Sequence, residues 1–506
     1  MSISKDQIKN KFVSILGEDN VSTDPVDLIS HGYVSKGLEA KYKDVEFKAS
    51  FLITPRNKDD VIQIVKYCNE NKIPIIPRCA ATSLAGQVVP VKDNSVLMDF
   101  GRHMNKIKEI NIEEEFIIVE PGVQFLDIQD ELSKYGYQFQ AEPGSAFYCQ
   151  AAGMVGNNAS GATSHKYGTT GDFVNHLEVV LANGDVINVG HRSGVVKSVA
   201  GYDLVSLFVG SEGTLGIFTE ITLKIGRIPK NEITMVVSYS SLDDCWKCVQ
   251  EIKKEGEENL NIELFEYADS MTLNGINAHF KWLKKRGYKR LKVKKRQGTI
   301  LIKLVGQDLD KQVKIIEEIA NREDLYEKLP KIQIFKEAWD QSMLWKGRHN
   351  AGPSIARSMN PPPDPRMYIP MVLDIAVPPN KIINFIKTSK ELSSKYGILP
   401  ITFGHFLDGN VHLIAAITIN DETLERAREF QKILLDKVFN EYGGTITAEH
   451  GVGLWKQSQL KKEYSEETVD IMRKIKDLFD PNHILNPGKM AVDEIPEIAN
   501  LEGIGE

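Results

Sequence analysis

The sequence predicts an α+β chain with two cores, and three observations predict it. First, 506 residues at 42% hydrophobic content are enough to bury at least two cores, since single cores rarely grow past ~300 residues. Second, between residues 95 and 228 short strands alternate with glycine-rich turns, not in a regular strand–helix rhythm. Third, after "GRIPK" (226–230) amphipathic helices alternate with apolar strands, the texture of an antiparallel sheet covered by helices.

The elements follow in order. Residues 1–45 read as a helical lead-in. "SFLIT" is a short strand, and "PRNKDDVIQIVKYCNENK" a helix with Asn57 as N-cap and Asp60 three residues on. "IPIIP" is the next strand and delivers the loop "PRCAATSLAGQVVP" (77–90). The strands "SVLMDF", "EFIIVEPG", "LEVVLANGDVINVG" and "GIFTEITLKI" complete a first domain, 46–228. A second domain, 229–450, carries helices at 242–255, 309–321 and 380–396 with strands "TMVVSYS", "GTILIKLVG", "MVLDIAVP" and "LPITFGH". A C-terminal segment, 451–492, contains the Pro-rich turn "LFDPNHILNPGKM", and an acidic tail, 493–506, follows.

Composition removes several function classes. A net charge of -7 from 62 basic and 69 acidic residues gives no reason to expect a nucleic-acid partner. No apolar run approaches the ~20 residues of a membrane span, and "MSISKDQIKNKF" lacks the apolar core of a signal peptide. The expectation is a cytoplasmic protein and not an integral membrane protein; a peripheral position at the inner face of a membrane, and a homodimer, stay open. The five cysteines include one CxxC, Cys245 and Cys248, with no second pair to complete a metal or iron–sulfur site. They read as two helix cysteines. The run 281–296 holds ten Lys or Arg and no acid; it reads as a solvated face, or as a docking patch for an acidic redox partner or an anionic membrane.

Three segments are rich in small residues: 77–87, "GMVGNNASGATSHKYGTTGD" (153–172) and "GYDLVSLFVGSEGTLGI" (201–217). Glycine and small hydroxyl residues let backbone N–H groups close around phosphate oxygens. There is no GxGxxG, and "GHRSGVVKS" is one residue short of a P-loop. The first loop reads Cys79-Ala80-Ala81 where glycines would be expected, a path open to alanine while φ stays negative.

"GHFLDGNVHL" (404–413) predicts a hairpin. Asp408-Gly409 is a type I′ dipeptide, so Leu407 would face Asn410, Phe406 Val411, and His405 His412. Opposed residues share a face with Cβ atoms about 5 Å apart, close enough for two imidazoles to chelate one metal ion. Glu449-His450 ends the strand-like "GGTITAEH" and precedes "GVG". Glu449 as third ligand gives a His₂Glu set with open positions, as in a catalytic metal site. The plainer alternative is a cross-strand histidine pair in a polar cleft.

Taken together and in order, "PRCAATSLAGQ", "AEPGSA", "GNNASG", "KYGTTGD", "GYDL", "GSEGTLGI", "GHFLDGNVHL", "TAEHGVG" and "LNPGK" carry a resemblance. Over about residues 48–491 the chain resembles the flavin-linked oxidases of the vanillyl-alcohol oxidase and p-cresol methylhydroxylase type. Within them it is most similar to the D-lactate, D-2-hydroxyglutarate and glycolate dehydrogenases. The resemblance implies a two-part FAD-binding domain and an antiparallel-sheet substrate (cap) domain with covering helices. It implies that FAD lies extended, its pyrophosphate on a first loop spanning Arg78, Ala80, Ala81, Thr82, Ser83, Gly86 and Gln87. Pro143 and Gly144 would lie along the flavin, with Gly153, Asn158, Ser160 and Gly161 beside the ribityl chain. The segment Glu212, Gly213 and Ile217 would meet the adenine, and Asn486 would close over the flavin. Some relatives attach FAD through a histidine in the first loop; none stands there, so non-covalent FAD is expected.

The reaction expected is oxidation of a small 2-hydroxy acid. A divalent ion (zinc, manganese or iron) on His405, His412 and Glu449 would stabilise the developing alkoxide. His450 would act as general base, and Arg348 matches the family's substrate arginine, suited to a carboxylate. Gly352, Val372 and Ile414 replace polar residues that some relatives place around a second carboxylate. D-lactate or glycolate is therefore expected over D-2-hydroxyglutarate. Without an iron–sulfur motif, electrons would leave to an external acceptor such as an electron-transfer flavoprotein, a quinone or a cytochrome. The alternatives are a D-2-hydroxyglutarate dehydrogenase, a non-redox alkyl-glycerone-phosphate synthase-like enzyme, and a flavin-binding partner subunit without activity.

Overall fold

The computed structural model describes residues 3–32, 47–289, 291–351, 354, 368–418 and 421–493. Gly352, residues 33–45 of the lead-in and the tail beyond Asp493 lie outside them. The chain divides into two compact units. One draws on Met1–Gly161, Gly168–Ile228 and Glu449–Gly503; the other draws on Ala162–Tyr167 and Pro229–Ala448. The excursion of 162–167 into the second unit has no counterpart in the sequence reading.

The first unit opens with β1 (Val21–Ser22), β2 (Phe51–Ile53), β3 (Ile75–Arg78) and β4 (Val96–Asp99), ordered β1-β2-β4-β3. Both β2 and β3 run parallel to β4, which demands a crossover between β2 and β3. The helix Lys58–Asn71 supplies it. Asn57 caps this helix by accepting the Asp60 N–H at 3.0 Å, and Val61, Ile64, Val65 and Cys68 form its buried stripe. The lead-in helix Lys5–Leu16 packs Phe12 edge-on against Phe51 at 5.5 Å. The lead-in is therefore part of this core, and it contributes β1 as well.

The unit continues with β5 (Ile107–Asn111), β6 (Phe116–Val119), β7 (Tyr137–Gln138), β8 (Val174–Val180), β9 (Val186–Gly190), β10 (Ile217–Lys224) and β11 (Gly226–Arg227). Five of these form an antiparallel sheet ordered β5-β6-β10-β8-β9, and β7 pairs with β11. Glu220 on β10 ion-pairs with Lys108 and Arg192. Burial alone would raise its pKa, but the two cations outweigh burial and hold it at about 2.

The second unit is one seven-stranded sheet: β12 (Glu232–Tyr239), β13 (Ile262–Asp269), β14 (Gly298–Val305), β15 (Lys331–Phe335), β16 (Tyr368–Ala376), β17 (Ile401–His405) and β18 (Asn410–Thr418). The order is β15-β12-β14-β13-β17-β18-β16, with antiparallel pairing throughout. Alternation sends Met235, Phe265, Ile302, Leu373 and Leu413 to one face, under helices Leu242–Glu255, Leu309–Ala320 and Ile382–Lys395. Helices Ser270–Lys284 and Ala338–His349 cover the opposite face where Val236, Ala268 and Leu301 lie, and Met271 reaches Ile401 and Phe403 on β17. The rest of that face, on β17, β18 and β16, carries His405, Asn410, His412 and Asp374 beside the apolar Ile401, Phe403, Val372 and Ile414.

Cys245 and Cys248 are buried on the first covering helix. Burial pushes the Cys248 thiol up to about 11, so both behave as small apolar side chains. The basic run leaves the helix at Lys284 and becomes a coil in which Leu291 and Val293 are buried while Lys292 and Lys294 face solvent.

Glu220 yields a stability prediction. Its folded pKa lies below the ~4.3 of an unfolded glutamate, so its contribution is present above that value and is lost as pH falls towards 2. Thermal unfolding followed by circular dichroism between pH 5 and 2 should show a shallower loss of Tm in Glu220→Gln than in the parent. Equal slopes would contradict this account.

Candidate active site

The polar face of the second unit holds two histidines, each opposed by an acid on the neighbouring strand. His405 on β17 stands opposite Glu266 on β13, and His412 on β18 stands opposite Asp374 on β16. All four are buried. The hairpin register differs from the sequence expectation: His412 pairs with Phe403, not with His405. A type I′ turn needs positive φ at both central residues, yet of the pair only Gly409 has it, at 91°. Phe406 decides the matter by leaving the hairpin for the core, where it stacks on Tyr267 at 4.3 Å. The connection is therefore four residues long, closed by the Gly409 N–H donating to His405 O at 3.1 Å. A two-residue slip preserves the face, so the imidazoles stay neighbours on a diagonal, their centroids 5.6 Å apart and edge-to-face.

The acids are tied down. Glu266 Oε2 accepts from Arg348 Nε at 3.1 Å and Nη2 at 2.7 Å, and Oε1 lies 2.7 Å from His405 Nδ1. Burial would raise the pKa of Glu266, but Arg348 and His405 outweigh it and hold the group at about 2. The Arg348 guanidinium also lies over the Phe403 ring at 4.1 Å. Asp374 Oδ1 accepts from Asn410 Nδ2 at 2.7 Å and sits 3.5 Å from His412 Nδ1, while Oδ2 accepts the Ala448 N–H at 3.0 Å. Val372 opposes Ile414 on the same face, one step along from Asp374 and His412. The expected strand before Glu449 is absent; its one ladder contact is an isolated bridge between Ala376 and Thr445.

In the first unit the loop after β3 is knitted to the turn following Glu449-His450. Ala85 O accepts from Leu454 N at 2.8 Å and Trp455 N at 3.2 Å. Gln87 accepts the Ala85 N–H at 3.0 Å and donates to His450 O at 2.6 Å. Glu212 accepts from Val452 N at 2.8 Å and Gly453 N at 2.9 Å. A Cβ on Gly451 would strike both the Gln87 amide and the Glu212 carboxylate, so this turn requires glycine. Asn486 Nδ2 donates to Gln87 O at 2.9 Å and Glu212 O at 2.7 Å, bringing the C-terminal turn to the same place. Gln87 and Glu212, expected against the cofactor, thus spend their side chains on the 450–453 turn.

Other expected residues fall as follows. Arg78 is paired with Asp99, and Asn158 caps helix Ala151–Asn157 while accepting the Gly171 N–H at 2.8 Å. Gly161 packs on Glu142 and Pro143, where a Cβ would not fit, and Gly213 packs on Pro77. Ser160 and Ile217 are buried; Thr82 and Ser83 are half-buried on the loop. Cys79 is a buried filler, its thiol pushed up to about 12 by burial and by Asp99. Four of the expected non-glycine residues adopt left-handed backbone: Ala81 (φ 54°), Asn158 (48°), Glu212 (52°) and Asn486 (41°). Such clustering of strained residues is a mark of ligand sites. Ala81 corrects the expectation of negative φ through the alanines of the first loop.

Residues 49–190 match the model described as FAD binding domain, and residues 228–490 match FAD linked oxidases, C-terminal domain. The chain belongs to the FAD-linked oxidases. It is 33% identical to glycolate oxidase subunit GlcD of Bacillus subtilis, over 96% of this chain and 97% of that one. It is 31% identical to the mitochondrial D-lactate dehydrogenase [cytochrome] of Arabidopsis thaliana, over 96% of this chain and 80% of that one. A structure of p-cresol methylhydroxylase with substrate bound shares the fold, with a TM-score of 0.74 at 20% identity over 96% of this chain and 97% of that one. This FAD-linked oxidase is thus an FAD-dependent oxidoreductase of the D-lactate dehydrogenase, glycolate oxidase and D-2-hydroxyglutarate dehydrogenase type.

The first unit fits FAD by its own chemistry. A Cβ on Gly144 or Gly156 would meet no atom within 4 Å, and Ser211 Oγ and Asn486 Oδ1 are buried polar atoms without a protein partner. Glu266 and Asp374 escaped the sequence reading. Their signal is faint: an acid inside the strands "IELFEYAD" and "MVLDIAV".

Ala81 generates a prediction. Left-handed backbone costs an alanine about 1–2 kcal/mol, part of which the stiffer unfolded chain offsets. Ala81→Gly should raise stability by about 1 kcal/mol and tighten FAD retention, read from Tm and from flavin released on gel filtration. A lower Tm would show that the loop does not carry this strain.

Proposed function

We propose that the enzyme oxidises a short D-2-hydroxy monocarboxylate, D-lactate or glycolate, to the 2-oxo acid, using non-covalent FAD and one divalent ion. The observation that carries the reading is the face of the second unit on which two buried imidazoles are each backed by a buried carboxylate. That donor chemistry suits zinc, manganese or iron, with His405, His412 and Glu449 as ligands. Glu449 is one peptide bond beyond Ala448, whose N–H is fixed on Asp374. When bound, the ion would stabilise negative charge on the substrate hydroxyl oxygen and FAD would accept the hydride leaving Cα.

The chain's own residues have three tasks. Arg348 holds the substrate carboxylate, its guanidinium kept in place by Glu266 and Phe403. His450 takes the hydroxyl proton as general base. Val372 and Ile414 offer a second carboxylate no polar partner, which favours the monocarboxylates. For FAD, backbone N–H groups at Ala80, Ala81, Thr82, Ser83 and Gly86 would meet the pyrophosphate. Pro143, Gly144, Gly153, Ser160 and Gly161 would line the flavin and ribityl chain, Gly213 and Ile217 the adenine, and Asn486 the flavin from the C-terminal side. Arg78, Gln87, Asn158 and Glu212 would shape this cradle by their internal bonds.

Electrons would pass to an external acceptor, an electron-transfer flavoprotein, a quinone or a cytochrome. The exposed lysines of 281–296, beside the exposed Trp282 and Tyr288, give an acidic acceptor protein a surface of opposite charge with aromatic anchors. Among the described residues no helix is long and apolar enough to cross a membrane.

Two tests follow. Under anaerobic conditions D-lactate or glycolate should bleach the flavin faster than L-lactate or D-2-hydroxyglutarate, a chelator should slow bleaching, and His450→Ala should slow it about 10²–10⁴-fold. A clear kcat/KM preference for the dicarboxylate would overturn the substrate. Changing Lys284, Lys285 and Lys292 together to Gln should slow acceptor reduction and weaken its salt dependence while substrate bleaching is unchanged. Equal slowing of both half-reactions would refute docking there.

A further inference from the structure

We propose that Glu266 is a positioning residue that sets the metal ligand and the substrate arginine at once, by dividing its two oxygens between them. The proposal rests on the reading above and adds to it a residue outside the expected metal and substrate set.

Glu266 lies on β13 directly opposite His405 and is 1% exposed. Its Oε1, 2.7 Å from His405 Nδ1, favours a proton on that nitrogen. The lone pair is then left on Nε2, the nitrogen on the far side of the ring. A carboxylate behind a ligating histidine fixes its tautomer and ring orientation, and losing such a partner costs about 10–100-fold in metal affinity. The other oxygen, Oε2, takes the Nε and Nη2 protons of Arg348. One edge of the guanidinium is thereby used, and Phe403 covers one of its flat faces. The remaining Nη1–Nη2 edge is left for a substrate, and it matches one carboxylate held end-on through two parallel hydrogen bonds. Because a single rigid side chain makes both contacts, the ligand nitrogen and the carboxylate-binding edge are held in a fixed relation. A 2-hydroxy acid, with hydroxyl and carboxylate on adjacent carbons, requires that kind of spacing.

A buried carboxylate with a cation beside it also has a purely structural explanation, so the test needs a matched control. Glu263 is three residues away on the same strand, also buried, paired with Lys303 at 2.8 Å and accepting from the Tyr167 hydroxyl at 3.1 Å. Full-length protein with FAD bound is stripped of metal and titrated with Mn²⁺ and Zn²⁺ against a competing chelator, and KM and kcat for D-lactate are measured after reloading. Glu266→Gln should weaken metal binding about 10–100-fold and raise KM more than it lowers kcat. Glu266→Asp, which keeps the charge but cannot span both partners, should fall between it and the parent. Glu263→Gln should lower Tm and leave metal affinity and KM within twofold of the parent. If Glu266→Gln binds metal as the parent does, or if Glu263→Gln weakens it as much, the positioning role is overturned. If the parent itself binds neither ion, the metal reading fails, and this proposal with it.

Discussion

A buried carboxylate must find a cation, a donor or a metal, and this requirement governs the polar face of the second unit. Asp374 is wholly enclosed, and it answers the requirement with three groups: the Asn410 amide, the His412 ring and the Ala448 N–H. These contacts join β16 to β18 and fix the stretch that runs into Glu449-His450. Glu266 does the same work one strand pair away, with Arg348 and His405. Desolvating either acid without its partners would be strongly destabilising. The sheet is apolar on its other face, so stability is supplied there and the polar face is free to hold groups that a core would reject.

The first unit solves a different problem, that of bringing distant backbone segments together. Its solution is to use side chains as struts between loops. Gln87, Glu212 and Asn486 each bond backbone groups from another segment, so the loop after β3, the 209–217 segment, the 450–453 turn and the C-terminal turn brace one another. Lys489, buried and donating to Val89 O at 2.8 Å, adds a further strut. Braced loops of this kind can hold residues in left-handed backbone that a free loop would relax.

Much of this was legible in the chain itself. The helix 242–255 and the strands around "GTILIKLVG" and "LPITFGH" emerge where periodicity places them, because burial on one face leaves an unambiguous pattern. The small-residue segments were legible for the same reason: few roles besides close backbone approach need so many glycines. What could not be read were relations across strands. "DG" indicated a two-residue turn, but Phe406 is claimed by Tyr267 from a strand far away in sequence, and tertiary packing overrode local turn chemistry. Glu266 and Asp374 were missed because an acid inside a strand carries no signal until its cross-strand neighbour is known. For Gln87 and Glu212, nothing local distinguishes a side chain that faces a ligand from one that braces the loop around it.

The excursion of residues 162–167 carries a last consequence. The chain leaves the first unit at 161, enters the second for six residues, returns at 168, departs again at 229 and comes back at 449. In the second unit this strap lodges Lys166 against Asn261 and Tyr167 against Glu263. Neither unit is therefore a continuous stretch of polypeptide. During synthesis the strap emerges well before the sheet that receives it, and the last pieces of the first unit emerge only after the second is complete. Folding cannot proceed as two independent modules in sequence, because the first unit cannot close until the second has been synthesised.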